Sequence, residues 1–241
     1  MRFEIRNRVS GEIILAGEAD SIRDLIRKGV RGAHRLNNAE LPGANLAGIH
    51  FSRWDLAGAN LAGANLTGCD LLEADMARCN LTRAILTGAN LRGADLTEAN
   101  ITGADLTLAD LEDAILVNVD MYMANLTQAR LVRADLSQAN LAKCNLTKAD
   151  LTEADLFWAD LGRANLTMAR LSKSSLTVAN LSKANLTMAD LTRATLAGAD
   201  LSGACLSDAD LRGADLTEAN LMGANLDGAE LNNVDLSRAK R

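Results

Sequence analysis

From Leu36 onward every fifth residue is apolar, without insertion or deletion, through 41 positions ending at Leu236. All but Phe51, Met76, Ile101 and Met121 are Leu. A second period-five series, Ala39 to Ala239, stands two residues ahead of these centres and is Ala at 33 of its 41 positions. Its exceptions are Ile49, Trp54, Cys69, Cys79, Val119, Cys144, Ser174 and Val234. Asn or Asp dominates between the two series, and Thr, Ser or Ala commonly follows the centre, so the unit reads A-(D/N)-L-(T/S)-x.

A period of five fits neither an α-helix nor a coiled coil, because Leu would spiral around the axis and bury nothing. It is odd, so a flat strand fails as well: alternate Leu would face opposite sides. A chain that turns a corner once per repeat satisfies it. Leu and Ala then point inward and the other three residues outward. Successive coils stack about 4.8 Å apart through strand-to-strand hydrogen bonds. Period alone permits three, four or five corners per coil. Ala beside Leu predicts a bore so slim that Leu fills it only when its neighbour is small.

The first 35 residues break the rule. "RFEIRNR" and "EIILAGE", separated by "VSG", predict a β-hairpin. "SIRDLIRKGVRGA" places Ile22, Leu25, Ile26 and Val30 on one helical stripe, with Ser21 and Asp24 resembling a capping box. A solenoid exposes an unpaired end coil, and this segment is the expected cover. Phe51 and Trp54 are the larger inward residues where bore and cover meet.

The unbroken A-(D/N)-L-(T/S)-x array resembles the pentapeptide-repeat family over roughly residues 36–240. The resemblance implies an all-β solenoid, a right-handed quadrilateral parallel β-helix with twenty residues per coil. About ten coils would make a rod of about 48 Å. The expected division is residues 1–35 as a hairpin–helix cap and 36–241 as the β-helix. "LNNVDLSRAKR" suggests no second cap. A homodimer through the C-terminal coil is expected there, the alternative being that Arg238, Lys240 and Arg241 discourage pairing.

Composition narrows the class. Aromatic residues make up 2% of the chain, in keeping with a narrow bore, and the net charge of −6 argues against a general nucleic-acid binder. Cys69, Cys79, Cys144 and Cys205 have no metal-ligand spacing, and with only two His no metal site or cofactor is expected. Reduced thiols, no signal-peptide h-region and no bilayer-length apolar run point to a cytoplasmic protein without membrane contact. The resemblance adds a bacterial origin.

If coils hold twenty residues, outward columns can be read. Asp110, Arg130, Asp150, Arg170 and Asp190 alternate as an ion-pair ladder; Asn125, Asn145, Asn165 and Asn185 form an amide ladder. Asp55, Asp75, Asp95, Asp135, Asp155, Asp215 and Asp235 form an acidic stripe, serving either the turns or a surface that imitates nucleic acid. Lys143, Arg163 and Lys183 form a basic column inside a central band, residues 130–195, that holds nine cations against six acids.

Phe157 and Trp158 follow the centre Leu156 and so face outward, with Val178 above Trp158 and Val117 two coils below Phe157. Exposed aromatic residues ringed by charge mark a binding surface, and these four are the candidate partner-binding face. Met168 and Met188, with Leu108 further along, are a second candidate. No acid–base pair converges in a concave site, so no catalytic residue is assigned. The "NLT" triplets follow from the repeat.

Two functions remain from these readings. One is a non-enzymatic rigid scaffold or interaction module for an unidentified protein partner, without direct contact to nucleic acid. The alternative comes from the resemblance: some family members mimic DNA and protect DNA gyrase, often as dimers. This chain departs from them in its nearly uniform Leu centres, its basic band and its lack of projecting loops.

Overall fold

The computed structural model describes residues 1–29 and 35–241; Val30 of the predicted stripe lies outside the described residues. From Arg35 the chain is a parallel β-helix in which residues twenty apart bridge, from Arg35–Asp55 to Asn220–Lys240. A coil therefore spans four repeats and has four faces. The first is centred on Leu36, Leu56 and so on to Leu216, the second on Leu41 to Leu221, the third on Leu46 to Leu206, and the fourth on Phe51 to Leu211. The centres and their Ala partners are buried in one continuous column, as the period predicts.

The repeat centred on Leu141 shows why each residue type recurs. Leu141 N–H donates to the Asp160 carbonyl at 2.7 Å, Lys143 N–H to Gly162 at 3.0 Å and Asn145 N–H to Ala124 at 3.0 Å, joining neighbouring coils. Cys144 N–H closes the turn on the Leu141 carbonyl at 3.1 Å. Only the Ala142 N–H lacks a main-chain acceptor, and Asn140 Oδ1 accepts it at 3.1 Å. Asn or Asp thus recurs at this position because its side chain satisfies the one donor the backbone leaves over.

Ahead of the coils, β1 (Arg2–Arg6) and β2 (Ile13–Glu18) form the antiparallel hairpin, followed by α1 (Ile22–Gly29). The hairpin continues onto the first coil: Glu40 N–H donates to the Arg6 carbonyl and Arg8 N–H to the Asn38 carbonyl, both at 2.8 Å. Ile5, Leu25 and Ile26 join the solenoid core, above the edge-on pair Phe51–Trp54 with centroids 5.1 Å apart. The predicted capping box is half realised. Asp24 N–H donates to Ser21 Oγ at 3.1 Å, but the Asp24 carboxylate accepts from the Asp20 N–H instead of closing back on Ser21. At the other end Leu226, Leu231 and Leu236 are only half-buried, where the expected homodimer contact would fall.

Cys69, Cys79 and Cys144 occupy Ala positions inside the bore, and burial pushes the Cys79 and Cys144 thiols up to about 12. Cys205 replaces an outward Asn, and hydrogen bonds to Ser207 and Thr187 lower its pKa. A thiol-alkylating reagent applied to the folded protein should therefore label Cys205 alone. Mass spectrometry before and after denaturation checks this. No helix among the described residues is long and apolar enough to cross a membrane.

Candidate partner-binding surface

Each corner is a four-residue turn whose third residue, the x of the repeat, has a left-handed backbone with φ near +60°. This is the signature of a type II turn, where Gly fits without cost. Gly occupies many such corners up to Gly103 and again from Gly198. Between them, from Leu108 to Arg193, all 18 corners carry other residues. A side chain in this region costs about 1–2 kcal/mol. The middle of the rod therefore holds its corner side chains against the preference of its own backbone.

Trp158 (φ 59°) and Val178 (φ 59°) stand one above the other on the corner between the first and second faces. Val is the more unusual, since β-branched residues are genuine outliers there. Phe157 and Trp158 stack in parallel, 6° between planes and 6.1 Å between centroids. They are 42% and 60% exposed, and Val178 is 46% exposed. Val117 stands two rungs below Phe157 and is half-buried, with Ser137 between them. Sequence reasoning missed Ile115, 43% exposed on the same face, which interrupts the acidic stripe where Asp is expected. Its signal was one apolar residue in a column of Asp. Met168 and Met188 are exposed on the diagonally opposite corner.

The acidic stripe lies on that first face, and its seven Asp side chains all serve turns. Phe157 N–H donates to Asp155 Oδ1 at 3.0 Å, and Asp55, Asp75, Asp95, Asp135, Asp215 and Asp235 accept the corresponding donors. One oxygen of each serves the fold. The amide ladder is a composite: Asn145 Nδ2 donates to Asn125 Oδ1 at 3.3 Å and, more closely, to Thr127 Oγ1 at 2.8 Å.

On the fourth face the predicted ladder forms at Arg130–Asp110 (3.6 Å) and Arg170–Asp150 (3.2 Å). The closer partner of Arg130, however, is Glu112, which no column reading singled out. Glu112 is 5% exposed and also meets Arg92 at 2.7 Å and Arg133 at 2.5 Å. The hydrogen bond from Arg130 is the main cause that holds its carboxyl at about 2.

On the second face Lys143, Arg163 and Lys183 rise one rung apart on exposed corners. Lys143 Nζ lies 2.7 Å from Tyr122 Oη. Among the described residues none of the three pairs with a carboxylate, nor do the corner cations Arg83, Lys148 and Arg193, whereas Arg53, Arg78, Arg133, Lys173 and Arg238 do.

A slim filled bore with corners at five-residue intervals defines a β-solenoid that displays side chains in columns. The family model for pentapeptide repeats matches in eight copies, from residues 35–72 to 204–240. The chain belongs to the pentapeptide-repeat family, and its solenoid is a right-handed β-helix. It is similar to HetL, a pentapeptide-repeat protein involved in heterocyst differentiation regulation from the cyanobacterium Nostoc sp. strain PCC 7120. Identity is 35%, the match covers 91% of this chain and 96% of that one, and the TM-score is 0.76. Rfr23 from the cyanobacterium Cyanothece 51142 is 32% identical over 50% of this chain and 90% of its own, with a TM-score of 0.38. QnrB1, a plasmid-mediated fluoroquinolone resistance protein, is 22% identical over 79% of this chain and 88% of its own, with a TM-score of 0.40. No curated protein matches.

Proposed function

We propose that this chain is a non-catalytic interaction rod that docks a protein partner on the corner carrying Phe157, Trp158 and Val178. The observation that carries this reading is the placement of exposed Trp and Val on left-handed corners where Gly would be more stable. Large exposed aromatic groups on a rigid base lose little entropy on binding, which is why Trp dominates interface energetics. The regulatory description of HetL agrees with a protein that acts by binding. The expected alternative, mimicry of DNA toward gyrase, draws on the acidic stretches on either side of the basic band, around Asp75 and Asp95 and around Asp215 and Asp235.

Trp158→Gly and Val178→Gly separate binding from folding. Relief of the left-handed backbone, about 1–2 kcal/mol, offsets the added freedom of Gly in the unfolded chain, about 0.5–1 kcal/mol. Thermal stability should therefore hold or rise. Partner affinity should fall about thirtyfold or more for Trp158→Gly, the loss expected of a central anchor at about 2 kcal/mol. Capture from a lysate of the source organism with mass-spectrometric identification gives the comparison. Equal capture by wild type and both variants refutes the reading, and dose-dependent inhibition of gyrase supercoiling by both would put the mimic in its place.

A further inference from the structure

The second face has two unlike rims. One is the Phe157–Trp158–Val178 corner; the other is the Lys143–Arg163–Lys183 corner, which meets no carboxylate among the described residues. Between them the floor is low and alternates carboxylate and amide, Asp120, Asn140, Asp160, Asn180 and Asp200. Asn140 and Asn180 lie along it, hydrogen-bonded to Asp120 at 2.9 Å and to Asp160 at 2.7 Å. Ala142, Gly162 and Ser182, just before the three cations, add no bulk. No other cation extends this run. Arg83 shares the column but lies three rungs below Lys143, beyond Gly103 and Met123, while Lys148 has Gln128 and Met168 as its column neighbours.

Charge complementarity calls for carboxylates opposite the cations and apolar groups opposite Trp158 and Val178. Asp160, in the middle of the floor, disfavours a continuous polyanion such as nucleic acid. It also accepts the Gly162 N–H at 2.9 Å, so its place is fixed by the turn. Spacing then selects the shape of the partner. Three cations one rung apart span about 9.6 Å along the rod. On an α-helix, residues i, i+3 or i+4 and i+7 lie on one face and span about 10.5 Å. Same-side residues of a strand lie about 6.7 Å apart and would span about 13 Å over three positions. A helix matches the rungs, and a strand runs out of step by the third.

Resting on the interaction-rod reading, we propose that this face receives an α-helix of a partner protein. One stripe of that helix carries carboxylates at i, i+3 or i+4 and i+7, against Lys143, Arg163 and Lys183. The neighbouring stripe is apolar and packs on Trp158 and Val178.

Three labelled synthetic peptides of about 20 residues, long enough to hold a helix, test this on the full chain by fluorescence anisotropy. The first carries Glu on one stripe and Leu beside it. The second has every Glu replaced by Lys. The third is the acidic peptide interrupted by two prolines. The acidic helix should bind, with affinity falling at least tenfold for the proline peptide. A similar loss is expected in the triple variant Lys143→Glu, Arg163→Glu, Lys183→Glu and in its neutral form Lys143→Gln, Arg163→Gln, Lys183→Gln, should the first fail to fold. Equal or tighter binding of the Lys peptide overturns the inference. So does equal binding of the proline peptide, equal competition by a thymidine oligonucleotide, or unchanged affinity in the triple variant. Capture of a cellular partner that is lost with Trp158→Gly but kept by the triple variant would retain the interaction rod and remove only the acidic helix.

Discussion

Leu156→Ala is expected to destabilise the protein by roughly 3–5 kcal/mol, the upper part of the range for buried Leu. Leu156 is fully buried in the bore directly beneath the candidate face. A globular core recovers part of such a loss by collapsing into the cavity. Here the surrounding backbone is pinned on both sides: Leu156 N–H donates to the Ser175 carbonyl at 2.7 Å, and Asp155 N–H to Ala134 at 3.0 Å. The coils cannot close without breaking these rungs, so the cavity stays open. Each coil also contacts only its neighbours, so the damage should separate the two halves of the rod. Urea denaturation followed by circular dichroism should show a lower midpoint with a broadened transition. Trp158→Ala on the same coil is the control, with an effect within about 0.5 kcal/mol.

Glu112→Ala should be the most damaging single change among the charged residues. Three guanidinium groups, from Arg92, Arg130 and Arg133, are drawn together over one carboxylate that is almost wholly covered. Removing it strips Arg92 of its carboxylate and leaves it crowded against Arg130 and Arg133, which keep only Asp110 and Asp113, whereas Glu73→Ala frees only Arg53 in open solvent. Melting temperatures of the two variants should differ accordingly. The same site sets an acid limit. The Glu112 carboxyl is held at about 2 in the folded chain against an ordinary 4.5, so the unfolded state takes up the proton first. Its contribution is complete above pH 4.5 and is lost as pH falls from there to about 2. Glu112→Gln should flatten that part of the stability–pH profile while leaving the size of the side chain unchanged.

Register made the inward and outward directions legible. Once Leu156 is a centre, Phe157 and Trp158 can only face out, and Asp24 and Ser21 mark the helix start within a residue of where it lies. Other features were hidden for physical reasons. Nothing local says that Val178 adopts a left-handed backbone; its own propensity favours a strand, and the turn overrides it. Glu112 follows a Leu centre and reads as solvent-facing. It is covered only because arginines from rungs below and above fold over it. The seven Asp side chains of the acidic stripe gave one signal for two roles, and only the bond to the second following N–H reveals the turn role.

Because pairing joins residues twenty apart, the outer surface behaves like a combination lock whose dial clicks in fives. Deleting residues 161–165 would leave the filled interior unbroken but rotate everything downstream by a quarter turn. Lys183 would then sit above Trp158, and each face beyond the cut would inherit its neighbour's chemistry. Deleting twenty would shorten the rod by one storey and keep the remaining sides aligned. Length changes that keep the outward columns aligned in such a chain are therefore quantised, four repeats at a time.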